Sequence, residues 1–204
     1  ASVRLWAGRT DEAVSMAEQA LRTFTSLGDR YGGNQAGAVL GRALVMSGRV
    51  EEGFALLVKV GSPEGAGPAE GDGFPARYAR LAAALQIGEP HRGASVLHDI
   101  EIIAGAGLGG DDAAAVLAAA ALMAGDVASA ERYVASARTH DLDPNVMAVH
   151  ALTAAASGSG EAAELADRIG ETAGATYLDR ATAALAATTY SAVLTGASSP
   201  AFTY

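Results

Sequence analysis

A short motif that runs from a turn glycine to a small residue five positions later recurs along this chain. Apolar or small residues then follow the small residue at four and seven further positions. Four copies begin at Gly8, Gly48, Gly88 and Gly125, a weaker fifth follows Ser157–Gly160, and the small residues are Ala13, Gly53, Gly93, Ala130 and Ala162. Residues at i, i+4 and i+7 share one face of a helix. The motif therefore predicts a glycine turn that leads into a closely packing helix.

The composition favours an all-α fold. Half of the 204 residues are hydrophobic, but only 5% are aromatic, and alanine is abundant. Alanine has the highest helix propensity and the least bulk, so helices rich in it can approach one another closely. β-Branched residues do not alternate over any stretch of strand length, which gives a sheet little support.

The turn residues and the apolar spacing predict ten helices and one domain. We expect this domain over residues 1–195, with a Gly- and Pro-rich loop at 62–73 inside it and a C-terminal tail at 196–204. The helix from 176 does not match the motif and is expected to cap the array. The predicted helices are 10–27, 30–47, 50–61, 75–87, 90–105, 111–124, 127–139, 144–157, 160–173 and 176–195.

The second unit carries additional residues of a known repeat. Leu40-Gly41, Leu44 and Gly48 match the Leu-Gly, large apolar and turn-glycine positions of the tetratricopeptide repeat, so residues 1–172 resemble that family. Gly37 stands at the usual tryptophan position, and the small residues are separated by 40, 40, 37 and 32 residues, against about 34 in a standard repeat. Longer units of this kind are similar to the helical regions of large actinobacterial LuxR-type and ATPase signalling regulators, and Ala20–Arg30 is similar to them as well.

The resemblance implies a right-handed α-solenoid of about five antiparallel helix pairs with a C-terminal capping helix. In such arrays the first helix of each pair lines a concave groove that binds a partner. The residues that this implies for the groove are Gln35, Arg42, Met46, Tyr78, Gln86, Asp112 and Met123. Arg42 is the only cation among them, which disfavours recognition of the terminal carboxylate of a peptide.

The charges and the missing cysteines exclude several kinds of partner. The net charge is −9 and the only lysine is Lys59, so binding of nucleic acid by this segment is not expected. Disulfides and thiolate metal sites are excluded because there is no cysteine. The apolar stretch Ala113–Ala124 is too short to cross a membrane. We expect no signal peptide and a cytoplasmic location. Because the sequence does not begin with Met, we also expect that it is part of a longer protein.

Three clusters could suggest catalysis or metal binding, and each has a simpler interpretation. His91 and His98 lack the acid that a metal-binding helix motif requires. His140–Asp143 lies where one helix should end and Asp143 should cap the next. Gly105–Gly110 has the spacing of a phosphate-binding loop, but no strand precedes it, so a turn is predicted. We therefore predict no enzyme activity, no metal and no cofactor.

The function that follows is that of an interaction or regulatory scaffold in a larger bacterial signalling or transcription regulator. Its partner is expected to be a protein, a peptide or the flanking domains of the same polypeptide. The alternative is a helical domain that senses a small effector in the concave groove, although the scarcity of aromatic residues disfavours it. We also expect that a terminal helix pair exposes Ala13, Ala17 and Ala20 together with Trp6, and that this apolar face allows a homodimer.

Overall fold

The computed structural model describes residues 1–61, 74–107, 109–138, 143–172 and 175–195, except for the side chains of Trp6, Tyr177, Leu178 and 192–195. The predicted loop 62–73, the tail 196–204 and the cluster residues His140 and Asp141 lie outside these ranges. Regular structure within them is entirely helical. The helices are α1 (Ser2–Trp6), α2 (Thr10–Leu27), α3 (Arg30–Met46), α4 (Val50–Gly61), α5 (Phe74–Gln86), α6 (Ala94–Gly105), α7 (Gly110–Met123), α8 (Val127–Ser136), α9 (Pro144–Ala156), α10 (Glu161–Glu171) and α11 (Tyr177–Thr195).

These helices confirm the predicted all-α class, and most bounds differ from the prediction by three residues or fewer. The exceptions are α1, which none of the ten predicted helices covers, and the predicted helix 90–105, since Pro90–Arg92 forms a separate 3₁₀ turn and α6 begins at Ala94. Proline has a fixed φ and no N–H, which suits the start of such a turn. Gly93 therefore precedes α6, yet it still meets α5: a Cβ on Gly93 would lie 2.7 Å from Leu81 Cδ1.

Six turns between helices contain the same pair of hydrogen bonds. In each, a glycine N–H donates to the carbonyl three residues back, and the next N–H donates to the carbonyl five residues back. At Gly48, for example, these bonds run to Val45 O at 3.0 Å and from Arg49 N to Leu44 O at 2.9 Å. This helix ending requires a positive φ, which glycine adopts at least cost. The glycines are Gly8, Gly28, Gly48, Gly88, Gly125 and Gly158, and all have positive φ, which confirms the turn position of the motif.

The chain divides into two compact units, unit 1 (Ala1–Gly109) and unit 2 (Gly110–Tyr204). Each has its own core. The single domain over 1–195 and the handedness and pair number of the solenoid stay predictions.

Within each unit, odd-numbered helices pack on one another as well as on their neighbours in the chain. In unit 1, α3 packs against α1 and α5, and in unit 2, α9 packs against α7 and α11. Among the described residues, none of the main helix contacts joins two successive even-numbered helices, such as α2 with α4 or α8 with α10. Each unit therefore has a row of odd-numbered helices, and the even-numbered helices pack on the odd-numbered helices next to them in the chain.

The N-terminal core shows that the predicted exposed face on α2 is wrong for two of its residues. Ala13 and Ala17 are completely buried, in a cluster with Leu5 of α1 and with Leu40 and Leu44 of α3. The short helix α1, which precedes the first turn, supplies part of this cover. An apolar face on these two alanines is thus not available for a homodimer.

Glycine allows α3 and α4 to approach closely. A Cβ on Gly53 of α4 would lie 2.6 Å from the carbonyl oxygen of Gly41 on α3, and one on Gly41 would lie 2.5 Å from Leu57 Cγ. These distances are too short for a Cβ, so the two backbones are in contact. In unit 2 the corresponding small residues are Ala130 and Ala162, both completely buried.

Candidate functional site

The odd-numbered helix α3 has one half-buried strip along its length. Its residues are Gln35, Val39, Arg42 and Met46, whose spacing of four, three and four places them on one helix face. On one side of this strip, α3 packs in a cluster with α1 and α2, and on the other side it packs with α4 and α5. The strip therefore lies between the two clusters, and its residues Val39 and Met46 pack partly against the first of them.

The neighbouring helix α5 has a matching strip. Tyr78 and Leu85 are half-buried and seven residues apart, and Gln86 beside them is exposed. The Tyr78 ring contacts the Phe74 ring, with centroids 6.2 Å apart and planes tilted by 42°. That geometry is a favourable one for an aromatic pair, and it holds the tyrosine in place.

A hydrogen bond joins the two strips. Arg42 Nε of α3 donates to Gln86 Oε1 of α5 at 3.1 Å. The bond takes one of the five N–H donors of the guanidinium group. We call the joined surface the α3–α5 face; it consists of Gln35, Val39, Arg42, Met46, Tyr78, Leu85 and Gln86.

All five unit 1 residues predicted for the groove lie on α3 and α5, and the structure shows contact between two of them, Arg42 and Gln86; that the five form one groove stays a prediction. Gln35 Nε2 donates to the Tyr31 hydroxyl at 3.2 Å, so part of its amide is engaged by its own helix. Met46 packs partly against the N-terminal core and contributes mostly to stability. The remaining predicted residues, Asp112 and Met123, lie in unit 2, at the exposed first turn and the half-buried last position of α7.

Sequence reasoning missed two apolar members of the face. Val39 lies four residues after Gln35, and Leu85 lies seven residues after Tyr78. Helical spacing from the predicted polar residues would have found both. With them, the face has apolar surface next to polar groups.

An arginine cluster in unit 1 centres on Arg92. Arg92, on the 3₁₀ turn, pairs with Glu51 of α4 at 2.6 Å and with Glu89, and its guanidinium carbon lies 5.0 Å from the centre of the Phe54 ring. Its hydrogen bond to Glu51 holds the pKa of that carboxyl below its ordinary value, and the bonds to both glutamates raise the pKa of Arg92. The cluster ties α4 to the turn after α5.

Two further arginines connect α5 with the segment that follows it. Arg77, only 7% exposed, places its Nε 3.4 Å from Asp99 Oδ2 of α6. Arg80 Nε donates to the Arg92 carbonyl at 2.8 Å, and burial lowers the pKa of Arg80. These arginines position α5, and with it Tyr78, rather than bind a ligand.

Two of the three clusters considered for catalysis have structural roles where the structure describes them, and in the third an acid does lie near a histidine, since His98 Nδ1 is 3.6 Å from Glu101 Oε2. Asp143 caps α9 by accepting from Asn145 N at 2.9 Å and Val146 N at 3.3 Å, as predicted. The glycine-rich segment 105–110 runs from the end of α6 to the start of α7, and its described residues Gly107 and Gly109 have positive φ. Within the described ranges, no group of three or more His, Asp or Glu residues could hold a metal ion.

No helix among the described residues is both long enough and apolar enough to span a bilayer. The chain matches no protein-family model, no curated protein and no solved structure. The resemblance to tetratricopeptide repeats and to the actinobacterial regulators therefore stays a hypothesis.

Proposed function

We propose that this chain is a protein-interaction module whose α3–α5 face binds an extended peptide or a helix. The observation that carries the proposal is the Arg42–Gln86 hydrogen bond, which joins the surfaces of two odd-numbered helices, one of which also carries the half-buried Tyr78. The segment that binds comes from a partner protein or from flanking domains of the same polypeptide.

The chemistry of the face suits a polypeptide segment. Arginine and tyrosine are among the residues that contribute most to protein–protein affinity. Val39 packs partly against the N-terminal core as Met46 does, but it and Leu85 are only half-buried and provide apolar contact for side chains of a peptide. Arg42 and Gln86 offer donors and acceptors to its backbone. Because α3 packs in two cores and α5 packs in one of them, both helices are already formed before binding, which reduces the entropic cost.

The repeated turns and the alternating helix contacts support a tetratricopeptide-like array with this face on its concave side. In such an array the module would transmit a bound state to a neighbouring catalytic or DNA-binding domain of a bacterial regulator. A partner can shift such a neighbouring domain from one state to another if it binds the module more tightly in one of the two states.

The proposal is tested by capturing partners from a lysate of the source cells with two matched triple variants. The face variant combines Arg42→Ala, Tyr78→Ala and Gln86→Ala. The control combines Gln19→Ala, Arg22→Ala and Lys59→Ala, which lie exposed on the even-numbered helices α2 and α4. Circular dichroism would verify that both variants keep their helices.

We expect a protein that the native chain and the control capture and that the face variant loses. The captured protein, once purified, should bind the native chain in titration calorimetry at least about tenfold more tightly than the face variant, because removal of central Arg and Tyr contacts commonly costs more than 1 kcal/mol each. Equal binding by the two variants would show that the partner uses another surface.

A further inference from the structure

A cleft of about 390 Å³ opens in unit 2 between the even-numbered helices α8 and α10, with the C-terminal half of α9 as its floor. It exists because the main contacts of α8 and α10 are with odd-numbered helices and not with each other. The described residues that line it are Glu131, Val134, Ala135, His150, Thr153, Ala154, Ser157, Ser159 and Glu161.

Two hydroxyl groups on α9 give the cleft the character of a hydrogen-bond acceptor. Thr153 Oγ1 donates to Val149 O at 2.8 Å, and Ser157 Oγ donates to Ala154 O at 3.1 Å. A hydroxyl group has one proton and two lone pairs. Since both protons are used by the helix backbone, these oxygens offer lone pairs to a donor in the cleft.

The two even-numbered helices add negative charge, and part of the lining is apolar. Glu131 of α8 and Glu161 at the start of α10 are exposed, one from each of the two helices. Val134 and Ala154 are buried below them. The described lining contains no lysine and no arginine. The His150 ring and the Ser159 hydroxyl also line the cleft and can donate, but the two carboxylates and the hydroxyl lone pairs favour a ligand with donors and a positive charge, together with an apolar part.

We propose that this cleft binds a primary ammonium or guanidinium group on an aliphatic stem. The stem packs on Val134 and Ala154, as the stems of lysine and arginine pack on apolar surfaces, and the charged head contacts the carboxylates of Glu131 and Glu161. The head belongs either to a free amine or to a basic side chain of a polypeptide. The proposal is independent of the α3–α5 face, which lies in unit 1.

Amide NMR titrations of the full chain with small probes test both sources. Pentylamine and agmatine represent free amines, and the blocked residues N-acetyl-lysine and N-acetyl-arginine methylamide represent basic side chains of a polypeptide. N-acetyl-norleucine methylamide is the uncharged probe. We expect the charged probes of at least one class to shift the amides of residues 131–135 and 150–161, and the uncharged probe to leave them in place.

Matched variants test whether binding depends on the carboxylates of the cleft or on the overall negative charge of the chain. Glu131→Gln with Glu161→Gln should weaken binding about fivefold or more. Asp167→Asn with Glu171→Gln removes the same charge from exposed positions of α10 outside the cleft and should change binding less than twofold. Ala135→Phe places a large ring in the cleft from an exposed position and should abolish the shifts without loss of helix content.

The outcomes are distinct. Tighter binding of the blocked residues assigns the cleft to a polypeptide side chain, and tighter binding of pentylamine or agmatine assigns it to a free amine; either supports the proposal. Shifts that are absent, that the two charge variants weaken equally, or that survive Ala135→Phe would overturn it. The α3–α5 face would be unaffected by such a result.

Discussion

Units 1 and 2 build similar helix–turn–helix pairs but hold their helices together in different ways. In unit 1, glycine brings α3 and α4 into backbone contact, and arginines connect α4, α5 and α6 through Arg92–Glu51 and Arg77–Asp99. In unit 2, alanines occupy the small positions, and several side chains bond to backbone groups at helix ends. Asp111 of α7 accepts from Arg138 N beyond α8 at 2.9 Å, and Arg180 of α11 donates to Gly170 O of α10 at 2.7 Å.

The difference teaches what a single methyl group decides. Glycine at the small position of the motif allows two helix backbones to touch. The alanines Ala130 and Ala162 of unit 2 instead place a Cβ between an even-numbered helix and its neighbour. The glycines Gly110, Gly125 and Gly170 of unit 2 have no atom within 4 Å of an added Cβ. Unit 1 should therefore be sensitive to added volume at Gly41 and Gly53, and unit 2 should not be at Gly170.

The largest expected effect comes from the side chain that fills the space over Gly41. Leu57→Ala should lower the free energy of unfolding by about 2–5 kcal/mol, because it leaves a cavity in the core of unit 1. In that background Gly41→Ala should cost less than it does in the native chain, since the new Cβ would no longer lie 2.5 Å from Leu57 Cγ.

Urea denaturation followed by circular dichroism measures this coupling as a double-mutant cycle. If the losses of stability from the two substitutions are additive, then the helix backbones, and not Leu57, limit the size of the side chain that fits at Gly41. Gly53 O, 3.1 Å from the same added Cβ, would then be the limiting atom.

A second comparison uses added methyl groups alone. Gly53→Ala should destabilise unit 1 by about 1–3 kcal/mol through overpacking against α3. Gly33→Ala on α3 and Gly170→Ala on α10, where an added Cβ has open space, should each stabilise by about 0.4–1 kcal/mol, because alanine reduces the entropy of the unfolded chain. Thermal unfolding of the three variants shows whether each substitution stabilises or destabilises the protein. A stabilising Gly53→Ala would remove the distinction between the units.

The helix caps should behave alike in both units. Asp29 accepts from Gly32 N at 2.9 Å at the start of α3 in unit 1, and Asp143 caps α9 in unit 2. Replacement of either aspartate by alanine should cost about 1 kcal/mol, because an N–H at the helix start loses its acceptor. Urea midpoints of the two variants measure it. A cap that matters in only one unit would indicate that the other helix is held by packing alone.

The smallest expected effect is a pH-dependent one in unit 1. The pKa of Glu51 is lowered by Arg92, so its contribution to stability is present above the ordinary pKa and is lost as the pH falls through the lowered value. Glu51→Gln should therefore lower the unfolding temperature slightly at pH 7 and have no effect well below pH 4.5. The effect should shrink in 1 M salt. Glu164→Gln, at an exposed position of unit 2, is the control, and a pH-independent difference between the two would contradict the assigned cause.

Local patterns in the sequence predicted much of this architecture, whereas contacts between repeats could not be predicted. The turn glycines and the helices that they separate follow from spacing within a few residues. Arg42–Gln86 and Arg92–Glu51 join residues 44 and 41 positions apart, so they depend on how far one helix pair is displaced along the next. The cleft in unit 2 depends on a gap between α8 and α10, and the composition of those two helices does not encode the gap. The sequence shows Pro90, but the 3₁₀ turn that separates this proline from α6 was not predicted from it.

The glycine contact between α3 and α4 has a mechanical consequence. Side chains adapt to strain by changing rotamers, but Gly41 and Gly53 have no side chain that could do so. We expect α3 and α4 to move as one rigid block. Adjustment in unit 1 should then occur between α3 and α5, where the long side chains of Arg42 and Gln86 span the gap. The separation of these two helices, and hence the width of the α3–α5 face, is the dimension that a bound segment would set.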